Sequence, residues 1–289
     1  MISEEQLETW EKRGPQESSK NTYNRIKNLL ESHDDLKKYQ FNIFLQGSYG
    51  NNMNIYGNSD VDIIVCLTSM FTRDISKLSS TEEKEYLKNF STSEIKLSVF
   101  KNDVISVLKS RYDVEIKNKC LKISGTPLSA DVVVSNEYRK YHSYSIYNRK
   151  DYDEGIIFYS LKGEKIISYP QLHYENGVTK NSKSQKNFKK TVRIFKNIKS
   201  KLVNDKVLSS KTAPSYFIEC LIYNVPNENF VNNRQQRVLN VFSWLTNNIS
   251  ENLVCQNGKK YLFGATDEQW NMSNCLEFIL ASFKVFEDD

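Results

Sequence analysis

Gln46-Gly47-Ser48-Tyr49-Gly50 is followed, after a short polar stretch, by Asn58-Ser59-Asp60-Val61-Asp62-Ile63-Ile64-Val65. These two segments decide the reading of the chain. Phe41 to Gln46 has the apolar, partly β-branched character of a strand, and Gly47-Ser48 closes it. The Asn- and Gly-rich loop Asn51–Ser59 then leads into a second strand, Asp60–Leu67. Asp60 and Asp62 stand two residues apart on that strand, so their side chains share a face. Two carboxylates so close repel unless a cation lies between them, and hard oxygen ligands suit Mg²⁺ or Mn²⁺ carried with a triphosphate. Eleven residues separate Ser48 from Asp60. Glycine admits a phosphate close to the backbone, and a serine hydroxyl with adjacent N–H groups can hold its oxygens.

Working outward, residues 80–110 are helical in character, and two short strands follow at Asp113–Lys117 and Cys120–Ile123. After the turn Gly125-Thr126-Pro127, the strand Ala130–Ser135 carries Asp131 near its start, placed to supply a third carboxylate. Ahead of the quoted stretch, Glu4–His33 reads as a long helix, broken near Gly14-Pro15. Beyond residue 180 the pattern turns helical: Gln185–Leu202, Ser215–Tyr223, Asn233–Asn248 and Ser273–Phe286. The expected organisation is a catalytic lobe with its N-terminal helix, residues 1–165, and a helical lobe, 166–289, closing a nucleotide cleft.

Composition narrows the classes. The chain has 289 residues and a net charge of +5, and its longest apolar stretch is too short to span a bilayer. The N-terminus carries acids where a secretory signal would be apolar, so a cytoplasmic protein without membrane contact is expected. Five scattered cysteines without a C-x-x-C pair, and three distant histidines, argue against disulfides and zinc. From Lys180 to Lys206 there are ten basic residues and one acid, Asp205, a segment suited to a polyanion or to water. In the helix Gln185–Leu202, Phe188, Val192, Phe195, Ile198 and Leu202 share one face, with Lys186, Lys190 and Arg193 opposite.

The G-S…D-x-D pattern, with Asp131 in Leu128-Ser-Ala-Asp-Val-Val-Val134, resembles the signature of polymerase-β-like nucleotidyltransferases. Tyr169–Asn181, Phe188–Lys196 and Pro214–Pro226 resemble the bacterial cGAS/DncV-like nucleotidyltransferases, in particular the CdnE type. The resemblance implies an α+β fold: a polymerase-β-like core with an N-terminal spine helix and a C-terminal helical lobe. It implies a monomer that joins NTPs (ATP, UTP or GTP) into a cyclic di- or oligonucleotide messenger of CBASS anti-phage defence. Asp60, Asp62 and Asp131 would be catalytic and would bind two Mg²⁺ ions, with Mn²⁺ able to replace them. Gln46, Gly47 and Ser48 would cradle phosphate, while Lys190 and Arg193 would grip the donor triphosphate. Ser215 and Tyr216 would contact a nucleotide, the ring stacking on a base, and Asn176 would favour a pyrimidine such as uracil. An activating RNA or a regulatory protein is a further partner class. The competing reading is a template-independent transferase adding nucleotides to an RNA or protein acceptor.

Overall fold

The computed structural model describes residues 1–14, 16–56, 60–90, 95–266 and 268–288. Pro15 of the expected helix break, Asn58-Ser59 of the quoted motif, the end of the expected 51–59 loop and part of the expected 80–110 helix lie outside these. Contacts divide the chain into two units, one of residues 16–46 and 60–170, the other of 1–15, 47–59 and 171–289.

The first unit is built on a seven-stranded sheet. Strand β1 (Phe41–Leu45) pairs antiparallel with β2 (Val61–Asp74), which runs parallel to β5 (Ala130–Tyr141). The hairpin of β3 (Asp113–Ile116) and β4 (Leu121–Ser124) joins the first half of β5, and β6 (Tyr152–Tyr159) joins its second half and carries β7 (Lys165–Ser168). Ile63, Ile64, Val65, Val132 and Val134 supply the branched, buried centre of the sheet. Both long strands exceed their expected lengths, continuing past an irregularity between Leu67 and Phe71 through residues whose polarity hides the pairing. Strands β6 and β7 were not anticipated, since few of their residues alternate in an apolar pattern. Helices α2 (Glu17–Ser32), α4 (Ser80–Asn89) and α5 (Leu97–Lys109) complete this unit, α2 packing on α5 and on β2.

The second unit is helical. It comprises α1 (Glu4–Trp10), the one-turn α3 (Gly47–Gly50), α6 (Pro170–Lys183), α7 (Asn187–Asn204), α8 (Ser215–Tyr223), α9 (Arg234–Asn248) and α10 (Met272–Asp288). The expected N-terminal helix, broken near Gly14-Pro15, is two helices that flank that position, one in each unit. Helix α7 is the core of the helical unit, with Phe188, Val192, Phe195, Ile198 and Leu202 fully buried, as their spacing predicts. Helix α6 was missed because Asn176-Gly177 reads as a turn. A Cβ on Gly177 would lie 2.4 Å from Nε2 of the buried Gln256, so the glycine serves a close approach rather than a turn. No described helix is long and apolar enough to cross a membrane.

Candidate active site

In the sheet unit, the register sets Asp62 directly beside Asp131 on the parallel strands β2 and β5. Asp60 precedes Asp62 by two residues, so the alternation of the strand turns it to the same side. On the other flank of β5, Lys122 of β4 stands opposite Asp131. Lys122 Nζ donates to Asp60 and lies 3.8 Å from Asp131 Oδ1, while the Ser129 hydroxyl donates to the second oxygen of Asp60. Burial alone would raise the Asp60 pKa, but Lys122 and Ser129 outweigh it and hold the carboxyl below its usual value. Lys122 is raised: burial opposes this, and Asp60 and Asp131 overcome it. Burial first, and then Asp131 and Asp62, push the nearby Cys120 thiol up to about 12.

Lys122 and Ser129 were not singled out from the sequence. The alternation of Leu121, Lys122 and Ile123 puts Lys122 on the polar face of its strand, but only the register pairs it with Asp131. Among the described residues, no group of three or more His, Cys, Asp or Glu side chains is already gathered around one point as in a formed metal site. The donor set nonetheless fits a hard divalent cation. Three carboxylates share one face, Asp131 Oδ1 is buried without a hydrogen-bond partner, and the ammonium of Lys122 offsets only part of their charge.

Gln46 extends the β1–β2 pairing, its N–H donating to the Asp62 carbonyl at 2.9 Å. In the helical unit, Gly47 takes a left-handed φ of 64° to open α3, a conformation that favours glycine. The Ser48 carbonyl accepts from Met53 N–H at 2.8 Å. Ser215 is the first residue of α8 and exposed, with Pro214 rather than Ser215 at the cap position. Tyr216 stacks on His173 with ring centroids 5.4 Å apart and accepts from Asn257 Nδ2 at 3.3 Å, yet remains 38% exposed.

The basic face of α7 is not one surface. Lys190 is half-exposed, its Nζ 3.4 Å from Glu11 Oε1. Arg193 is buried, donating from Nε to the Glu11 carbonyl at 2.6 Å and from a terminal nitrogen to the Asn52 carbonyl at 2.8 Å. Lys189 and Lys196 are buried as well. Asn176 Nδ2 donates to the Gln256 carbonyl at 2.8 Å, and Gln256 Nε2 donates to the His173 carbonyl at 2.7 Å, which ties α6 to the loop ahead of Gly258.

A mixed sheet with acids beside one another on its parallel pair, together with a helical unit, defines a nucleotidyltransferase class of fold. Comparison with known proteins agrees. Residues 175–287 match the cGAS/DncV-like nucleotidyltransferase C-terminal helical domain. The chain is 39% identical over 297 aligned positions to the cyclic nucleotide synthase CdnE01 of Staphylococcus haemolyticus, covering 99% of both chains. It superposes on the Rhodothermus marinus CdnE c-UMP-AMP synthase, solved with Apcpp and Upnpp, with a TM-score of 0.91 and 34% identity, covering 100% of this chain and 97% of that one. For the Elizabethkingia meningoseptica CdnE cyclic dinucleotide synthase, solved with GTP and Apcpp, the TM-score is 0.77 at 28% identity, with 99% of each chain covered. The chain therefore belongs to the CdnE-type cGAS/DncV-like nucleotidyltransferases and is an enzyme of that class.

Proposed function

We propose that this enzyme joins two or more NTPs into a cyclic oligonucleotide, a signal of the anti-phage kind, at the carboxylates Asp60, Asp62 and Asp131. The observation that carries the reading is the register pairing of Asp62 with Asp131 beside Asp60. In each step a ribose hydroxyl attacks the α-phosphate of a second nucleotide and pyrophosphate leaves; repeating the step within the linear product closes the ring. Asp60, Asp62 and Asp131 would hold divalent cations, Mg²⁺ or Mn²⁺, which lower the pKa of the attacking hydroxyl and offset charge on the departing pyrophosphate. Lys122 keeps Asp60 ionised, and Ser129 orients it. Gly47-Ser48 and Lys190 bind triphosphate oxygens, and the exposed ring of Tyr216 stacks on a base. Arg193 ties the Asn52 segment to Glu11 by donating to the carbonyl of each. Asn176 acts on base choice through the loop it holds. The relatives bind both uridine and purine nucleotides, so membership of the family leaves the bases open.

The test is incubation with all four NTPs and Mg²⁺, without RNA, followed by mass spectrometry. A phosphatase-resistant cyclic product, formed with pyrophosphate release and abolished by EDTA, is expected. Turnover only when an RNA or protein acceptor is added would replace this reading with terminal nucleotide transfer. Replacing Asn176 with Ser should shift the ratio of pyrimidine to purine incorporation, and an unchanged ratio removes that residue from base choice.

A further inference from the structure

At the centre of the helical unit lies a group of buried charges that none of the roles above uses. Glu219 of α8 is 2% exposed, and each neighbour of its carboxylate comes from a different part of the unit. Lys196 of α7, 3% exposed, donates to Oε1 at 2.6 Å. His173 of α6 places Nε2 3.1 Å from Oε2, and Asn51 Nδ2 donates to the same oxygen at 3.3 Å. Lys196 Nζ also reaches the Met53 carbonyl at 3.1 Å.

A buried ion pair is a poor device for stability alone, because desolvation cancels most of its attraction, whereas apolar side chains would fill the same space. What such a pair does well is fix geometry. Two paths leave Glu219. One runs through Asn51, and through Lys196 to Met53, into the segment just after Gly47-Ser48, where the Met53 N–H closes on the Ser48 carbonyl. The other runs through the His173 ring to Tyr216, stacked on it at an interplanar angle of 25°.

We propose that Glu219 is a positioning residue for nucleotide binding, setting the Gly47-Ser48 turn and the Tyr216 ring from one buried carboxylate. The inference rests on the function proposed above, since it takes that turn and that ring as nucleotide contacts. Holding binding groups in their bound geometry cuts the ordering cost of association, so a link of this kind acts on affinity without touching substrate.

Three variants test it. Glu219→Gln combined with Lys196→Met removes both charges at similar volume and leaves no unpaired ion. Asn51→Leu cuts the Asn51 branch of the first path, leaving Lys196 on the Met53 carbonyl, and His173→Phe cuts the second path, the latter keeping an aromatic ring against Tyr216 and both retaining the ion pair. Affinity for a fluorescent non-hydrolysable ATP analogue with Mg²⁺ is measured beside KM and kcat for NTPs, and folding is followed by circular dichroism. The expected result is a Kd and KM raised about tenfold or more in the folded variants, with kcat changed much less. Wild-type affinity in all three variants, each shown to be folded, overturns the inference. If the wild-type chain itself fails to bind the analogue or turn over NTPs, the proposed function falls and this inference with it. If only the variants match wild type, this inference alone falls.

Discussion

Asp60 and Asp62 repel one another in any extended strand, and Lys122 relieves that repulsion in the folded sheet. Asp60→Asn with Asp62→Asn removes carboxylate charge while keeping shape, so the protein should still fold, with a thermal midpoint lowered only by the loss of the Lys122 pairing. Pyrophosphate release should fall by about 10³-fold or more, the equivalent of several kcal/mol of lost charge stabilisation. Full activity in that variant would end the carboxylate assignment. Glu219 gives the pH prediction. Burial would raise its pKa, but Lys196 and His173 overcome this and lower it from 4.5 to about 2. A carboxyl lowered on folding stabilises the fold fully above its unfolded value and loses that contribution as pH falls through the folded one. The window is therefore between 4.5 and about 2, where protonating Glu219 costs the fold its pairing with Lys196 and His173. Urea midpoints measured from pH 6 to pH 3 should fall less steeply in the Glu219→Gln, Lys196→Met protein than in wild type.

Two helices carry predictions of their own. On α7, exposure separates residues that the sequence places on one basic face. Replacing half-exposed Lys190 with Ala should raise KM for NTPs and leave the thermal midpoint within a degree or two. Replacing buried Arg193 with Met leaves the Glu11 and Asn52 carbonyls without their donor and should cost about 2 kcal/mol in denaturant unfolding. If both variants lose affinity at full stability, Arg193 belongs with Lys190 on the ligand. On α6, Gly177→Ala adds about 1 kcal/mol of helix propensity but drives the Gln256 amide away from the His173 carbonyl. We expect a net loss of about 1 kcal/mol, read as a lowered denaturation midpoint. A raised midpoint would mean that Gln256 finds another place at no cost.

At the scale of the molecule, neither unit is a continuous piece of chain. The helical unit takes residues 1–15 and 47–59 as well as 171–289. Arg237, 1% exposed, meets Glu11 at 2.7 Å, and the Ile2 N–H donates to the Phe286 carbonyl at 2.8 Å. A fragment of residues 166–289 would bury Arg237 and Lys196 without Glu11 and without the Asn51–Met53 segment. It should not fold alone, giving circular dichroism without a cooperative thermal transition. Adding back a peptide of residues 1–14 should not rescue it, because the 47–56 segment is still missing. Cooperative unfolding of the fragment would show that α6 to α10 form a core unaided.

Local chemistry made part of this protein legible without a structure. The two-residue spacing of Asp60 and Asp62 puts both on one strand face, Gly47 ends a strand, and the apolar stripe of α7 names its buried side. Each depends on a period or a conformational preference that neighbouring residues set. Folding in space decided the rest. Pairing between strands distant in sequence brings Asp62 beside Asp131 and Asp60 to Lys122, and no local pattern encodes that register. The Asn176-Gly177 pair suits a turn by preference but lies within α6, where the glycine leaves Gln256 the space a Cβ would take. Burial of Arg193, Lys196 and Glu219 follows from partners up to 182 positions away, as with Arg193 and Glu11. A charged side chain enters a core only where such partners wait, and composition along the chain cannot say where that is.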